Sequence, residues 1–467
     1  MKFHLLINGK LVDGARTMEV INPATGKSFA TCPRADANQL EDAVRAAQAA
    51  FPAWAALSYE ERSKKLATFA HAVEAKRAEI GRVLTMEQGK PLPQAIEEVE
   101  AAARTLNHYA KQRLEEQVLR EDSTSRIIEH RTPLGVVAAI TPWNFPMMLM
   151  MLKVGPALIT GNTVIAKPAP TTPLTTLMLG EIAADILPPG VFQTLADAND
   201  LGAQLTTHPG VRHVSFTGST ATGKKVLAST ADTLKRFQLE LGGNDAALIL
   251  EDADIKKIAP KIFENATFNC GQICVATKRV YAPESLYDEL CDALGRLAGQ
   301  AVVGDGLEQG TTMGPIQNRR QYEKLLGLLD EANTKGTVVA GGKPLKRDGY
   351  FIPPTIVRDI PDDTRLVREE QFGPILPVLR YKNVADAIAR ANDCEYGLAG
   401  SVWTSDVKRG EAIAKQIDTG TVWVNRTINL PLDIPFGGAK QSGIGRQQGL
   451  EGLQEFTQGK VVNILIG

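Results

Sequence analysis

The sequence predicts an α/β fold with at least two doubly wound units, and three observations carry that prediction. Continuous apolar runs at 135–140, 162–166 and 213–217 are separated by helical segments, the pattern of parallel strands covered by helices on both faces. The alternation restarts after Asp245, with strands at 246–250 and 279–281 and a helix over 286–297. A chain of 467 residues is also too long for one ordinary core, so two or three units, each with its own interior, are expected.

Taken in order, the amino terminus places an Asn8-Gly9 turn after a short apolar stretch and reads as a hairpin rather than a signal peptide. From Ala37 to about Lys111 the chain is rich in Ala, Glu, Arg and Lys. Apolar residues recur there at helical spacing, as at Leu66, Phe69, Ala70 and Val73, so amphipathic helices are expected. The most hydrophobic run, 147–152, lies between Pro146 and Lys153 and is far too short to span a bilayer. The β-branched tail at 460–466, after Gly459, reads as a terminal strand whose edge needs a partner.

Lys plus Arg (52) and Asp plus Glu (53) nearly cancel, leaving a net charge of −1 and no electrostatic footprint for nucleic acid or an anionic membrane. Five cysteines, an odd and sparse number without framework spacing, imply reduced thiols and a cytoplasmic setting.

Chemistry concentrates at Phe268-Asn269-Cys270-Gly271-Gln272-Ile273-Cys274, a thiol after a Gly-Gln turn, with Glu240-Leu241-Gly242-Gly243 upstream. A sulfur that attacks a carbonyl must be ionised, and Glu240 is a candidate base for it. Cys270 and Cys274 are four apart, as two zinc ligands on a helix would be, but the six histidines form no cluster around them and no metal is expected. Asn144, in Pro142-Trp143-Asn144-Phe145-Pro146, is an amide able to donate to a developing oxyanion. Lys167 ends the 162–166 strand, where α/β sheets bind ligands. The loop Phe216-Thr217-Gly218-Ser219, continuing to Gly223, has room for a pyrophosphate at a helix start but lacks the three-glycine fingerprint.

Together with Lys167-Pro168-Ala169, Glu369-Glu370-Gln371-Phe372-Gly373-Pro374 and Pro435-Phe436-Gly437-Gly438, these motifs make the chain resemble the aldehyde dehydrogenase superfamily from end to end. The resemblance implies an NAD(P)-binding Rossmann-like domain (1–111 and 132–242) and a catalytic α/β domain (243–440). A small β oligomerisation arm with the C-terminal segment (112–131 and 441–467) would build a homodimer or homotetramer. It implies Cys274 as nucleophile, Glu240 as general base, and Asn144 with the Cys274 N–H as oxyanion donors. For NAD or NADP it implies Lys167 and Glu370 at the ribose hydroxyls, Gly218 and Ser219 at the pyrophosphate, Phe372 beside the nicotinamide and Trp143 in the cleft.

Departures from the family pattern bear on coenzyme and substrate. Pro170 stands where NAD-preferring relatives place a glutamate against a 2′-phosphate, so dual use or NADP preference is expected. Leu152 stands where acid-selective relatives carry an arginine; with Leu149, Ile273, Val275, Leu430 and Phe436 it predicts an apolar tunnel for an uncharged aliphatic or aromatic aldehyde, with Arg426 as the residue that would instead admit an acidic semialdehyde such as succinate semialdehyde. The rival readings are a CoA-acylating enzyme, which Glu240 opposes, a thiol esterase, which leaves the cofactor motifs without purpose, and a non-catalytic structural or stress protein with this fold.

Overall fold

The computed structural model describes residues 2–466. Four helices, Ala37–Ala55, Tyr59–Ala75, Arg77–Gln88 and Leu92–Ala110, fill the expected amphipathic region. Asp36 with Gln39, and Ser58 with Glu61, close capping boxes that start the first two.

The first sheet has eight strands in the order Lys10–Val12, Leu5–Ile7, Phe192–Thr194, Thr163–Lys167, Val136–Ile140, Val211–Thr217, Arg236–Glu240 and Gly443–Ile444. Its five middle strands are parallel, and the hairpin at Asn8-Gly9 adds two antiparallel strands at one edge. Val136–Ile140 and Thr163–Lys167 are buried at every position, which explains their unbroken apolar character. The second sheet has seven strands, parallel except for Thr337–Ala340 at its edge, and runs through Asp245–Ile249 and Thr277–Pro283 at its centre.

A third, antiparallel sheet joins Thr457–Leu465 to Ser125–Pro133 and then to Gln117–Glu121. Residues 441–456, placed from the sequence with the arm and tail, instead return to the first unit. Gly443–Ile444 pairs with Arg236–Glu240, and Leu453 and Phe456 enter that unit's core. A two-residue strand buries too little to leave a pattern in the sequence, so only packing reveals it.

Strand register places the motifs on one edge. Ile140 lies level with Lys167 and with Phe216, and Thr217 with Glu240. The segments after those residues therefore leave the sheet together at its carboxyl end, where doubly wound sheets hold ligands. Only 241–244 separate Glu240 from the first strand of the second sheet, so this edge faces the amino ends of Asp245–Ile249 and Thr277–Pro283.

Candidate active site

Cys274 sits in the loop that leads into Thr277–Pro283 and is one of two half-buried thiols, the other being Cys394. The segment is not a helix carrying two ligands on one face. Asn269 and Cys270 are left-handed, with φ of 50° and 59°, a strained conformation for residues with a Cβ. Cys270 is consequently turned into the core of the second unit, while Cys274 packs with Ile273, Val275, Phe268 and Phe436 in a separate apolar cluster. No group of histidine, cysteine and acidic side chains suited to a metal occurs among the described residues.

Polar side chains fix this loop. Lys278 Nζ donates to the carbonyls of Ile273 (2.8 Å) and Cys274 (2.7 Å), and Asn269 Nδ2 donates to the Asn144 carbonyl (3.0 Å). Asn144 Nδ2 donates to the Gln272 carbonyl at 3.0 Å, so the candidate oxyanion amide lies directly against the Cys274 loop. The Cys274 N–H has no hydrogen-bond partner among the described residues. Lys90 Nζ also donates to the Asn144 carbonyl (3.0 Å), lies 3.8 Å from the Phe145 ring centre, and pairs with buried Glu98.

Glu240 ends its strand buried, and neither carboxylate oxygen has a hydrogen-bond partner among the described residues. Burial pushes its pKa up to about 8, against the opposing pull of the Lys153 and Arg446 charges. Lys153 is fully buried, donates to Ser215 Oγ at 3.2 Å, and is itself pushed down to about 7 by burial. Burial raises the Cys274 thiol to about 12; Lys278 counteracts this, and the carboxylates of Asp245, Glu370 and Glu240 add to it.

Close approach explains the two glycines after Glu240. A Cβ on Gly242 would lie 2.4 Å from Glu370 Oε2, and one on Gly243 would lie 2.8 Å from the Cys274 carbonyl oxygen. Glu370 also accepts from the Gly243 N–H at 3.0 Å. The Glu240 motif, the Cys274 loop and the Glu370 segment thus touch one another.

The candidate cofactor residues line the same edge. Trp143 meets Phe372 edge-on, with ring centres 5.3 Å apart. Ser219 caps the Thr220–Thr230 helix by accepting from the Thr222 N–H at 3.3 Å, and the Gly218 N–H donates to the Glu240 carbonyl at 3.0 Å. Lys167 is buried at the end of its strand, 2.6 Å from Asp197, while Pro170 is half-buried.

The expected tunnel wall is only partly gathered. Ile273, Val275, Leu430 and Phe436 form one cluster with Cys274, whereas Leu149 and Leu152 pack with the core of the first unit, from the Pro146–Ile159 helix. Phe145, Phe268 and Trp423 also belong to the cluster and were not singled out from the sequence. Phe145 and Phe268 stack with centres 6.3 Å apart; only the position of Phe145 inside the Trp143-Asn144 motif hinted at this.

The family model described as the aldehyde dehydrogenase family matches residues 11–462. The chain belongs to the aldehyde dehydrogenase family. It is 40% identical over 463 residues to an aldehyde dehydrogenase of Fusarium sp., covering 98% of each chain. It is 36% identical over 467 residues to the NADP(+) succinate-semialdehyde dehydrogenase GabD of Escherichia coli K12, covering 98% of this chain and 97% of the relative. Among solved structures, the NAD+ complex of a Bacillus cereus aldehyde dehydrogenase superposes with a TM-score of 0.97 at 35% identity, covering 100% of this chain and 97% of that one. This aldehyde dehydrogenase is accordingly an enzyme that uses NAD or NADP, and the non-catalytic reading is not favoured.

Proposed function

We propose that Cys274 attacks the aldehyde carbon and that Glu240 activates the water that releases the acid. The observation that carries this reading is the meeting of a half-buried thiol, an unpartnered N–H and an unpartnered carboxylate at the junction of the two sheets. As sulfur bonds to the carbonyl carbon, the thiol proton passes to a neighbouring base. The oxygen, now an anion, is held by the Cys274 N–H and Asn144 Nδ2. Bound NAD(P)+ supplies a hydride acceptor, and the product on sulfur is a thioester. Water attacks that thioester while Glu240 takes its proton, returning the thiol and giving the carboxylic acid.

The residues present fit a dinucleotide. The Trp143–Phe372 pair offers an apolar wall, Ser219 heads a three-turn helix, and Lys167 and Glu370 bring charge to the same edge. Trp143 and Phe372 shield the nicotinamide side, Ser219 and Gly218 take the pyrophosphate, and Lys167 and Glu370 take ribose hydroxyls.

The substrate is a neutral aliphatic or aromatic aldehyde. Phe145, Phe268, Leu430 and Phe436 give the space around Cys274 an apolar wall, and Lys278, on the Thr277–Pro283 strand, already holds the Ile273 and Cys274 carbonyls. Burying an unpaired carboxylate there costs several kcal/mol, on the order of 3 or more. A second reading, an acidic semialdehyde, is favoured by one observation: Arg426 is exposed with no ion pair among the described residues, four positions before Leu430. A kcat/KM panel separates the two. Hexanal and benzaldehyde should exceed succinate semialdehyde; if succinate semialdehyde is best and Arg426→Ala removes that advantage alone, the neutral reading is wrong.

The arm carries exposed Val118, Leu119, Val461, Ile464 and Leu465, and by covering them a second copy would form the homodimer or homotetramer. The five cysteines, none paired in a disulfide, accord with a cytoplasmic location, and no helix among the described residues is long and apolar enough to cross a membrane.

A further inference from the structure

We infer that Asp197 makes this enzyme select NAD over NADP, standing in for the carboxylate that Pro170 lacks. The inference rests on the dehydrogenase reading above. Asp197 follows the Phe192–Thr194 strand, whose neighbour in the sheet ends at Lys167. The Leu195 N–H donates to the Ala166 carbonyl at 3.0 Å, which carries the pairing past the strand and brings Asp197 Oδ1 within 2.6 Å of Lys167 Nζ. Lysine and aspartate therefore sit side by side at the carboxyl edge of the sheet, although thirty positions separate them in the chain.

Both groups are buried, Lys167 at 5% and Asp197 at 1% exposure, yet they leave bonding capacity unused. Asp197 Oδ2 accepts from the Leu201 N–H at 2.9 Å, while Oδ1 has only the Lys167 ammonium beside it, at 2.6 Å. An ammonium has three protons to give, and a carboxylate oxygen accepts more than one. A pair built only to fill the interior would satisfy itself, because unmet buried polar groups are costly.

What it lacks is a partner that both donates and accepts. The vicinal hydroxyls of an adenosine ribose do this, one giving a proton to Asp197 and accepting one from Lys167. A 2′-phosphate has no such proton at neutral pH and would place its negative charge against the aspartate. Lys167 gives it little relief, since its charge is already balanced by Asp197. Arg34, at the end of the Lys27–Arg34 strand, is engaged with Asp200 of the Asp197 loop at 2.5 Å. The absence of a glutamate at position 170 therefore does not open the site to NADP; the carboxylate arrives from the adjacent strand.

Binding rather than turnover tests this, through the fluorescence of NADH and NADPH titrated into the intact enzyme at fixed ionic strength. The parent should bind NADH at least ~10-fold more tightly than NADPH, the effect of one like-charge contact close to the phosphate. Asp197→Ser should bring the ratio to about unity or below by tightening NADPH binding, and adding Lys167→Met should abolish that gain. Asp197→Asn, which preserves shape and the Leu201 contact, should shift the ratio in the same direction and covers the case in which the serine variant does not fold. A parent that binds NADPH as well as NADH overturns the inference, as does an unchanged ratio in both Asp197 variants. Binding of neither nucleotide would overturn the dehydrogenase reading with it, whereas normal nucleotide discrimination without aldehyde oxidation would remove only the catalytic roles.

Discussion

Replacing Glu240 by glutamine tests the water-activating role most directly. Its carboxyl, pushed up to about 8 by burial, is mostly protonated at neutral pH. At pH 7 roughly one molecule in ten carries the base form, so acyl-enzyme hydrolysis should rise nearly tenfold per pH unit and level off above pH ~8. Glu240→Gln should remove this limb and slow steady turnover by ~10²-fold or more, while rapid mixing still shows a burst of reduced coenzyme. Lys153→Met supplies the control: the Lys153 charge lowers the Glu240 pKa, so its loss should move the limb to higher pH. Stability gives a second readout. A carboxyl whose folded pKa is raised contributes its full stability below its unfolded value and loses it as pH climbs through the folded value. The parent should therefore weaken relative to Glu240→Gln between pH ~4.5 and ~8, by at most about 5 kcal/mol. A variant with the parent's turnover rate and alkaline limb would remove Glu240 from the mechanism.

Two further outcomes follow from the loop and its supports. Cys274→Ala should abolish the burst entirely, whereas Cys270→Ala, a change within the core of the second unit, should retain turnover and lose about 1–2 kcal/mol of stability; dehydrogenase activity in the Cys274 variant would refute the assignment. Lys90→Met strands the buried Glu98 carboxylate and removes one of the two donors to the Asn144 carbonyl, so it should cost about 3–5 kcal/mol by denaturant titration and lower kcat more than it raises KM; the double change with Glu98→Gln should recover much of the stability, and an unaltered kcat in Lys90→Met would show that Asn144 holds its place without the lysine.

Much of the fold was legible in the sequence. The apolar runs became the inner strands because burial on both faces leaves no room for polar residues, and the motifs kept their order because each sits where a strand meets a turn. Packing decided the rest. Leu149 and Leu152 lie only three and six positions past Pro146 in one helix, but its packing against the first unit takes them into that core instead of the Cys274 cluster. The return of Gly443–Ile444 to the first sheet left no trace in hydropathy. Lys90 and Asp197 were missed because a charged residue in a helical or loop stretch reads as a solvated one. Only strand pairing and helix packing bring them to Asn144 and Lys167.

On the proposed roles the two ends of the site use charge in opposite ways, and that difference bears on how a buried thiol would react. Near Cys274 the carboxyl of Asp245 is pushed up to about 7 and that of Glu240 to about 8, and the sulfur rests as a thiol. Ionising the sulfur alone would place another negative charge beside these groups, so its proton has to leave as carbon approaches, or a cation has to arrive first. Bound NAD(P)+ would supply such a positive charge, and on the proposed roles it would favour ionised Cys274 sulfur. At the proposed ribose end Lys167 and Asp197 cancel, so affinity there would come from hydroxyl geometry rather than from net attraction. Coenzyme selection and thiol ionisation would thus be separate tasks, and a change at Asp197 should alter which nucleotide binds without altering how Cys274 reacts once it has bound.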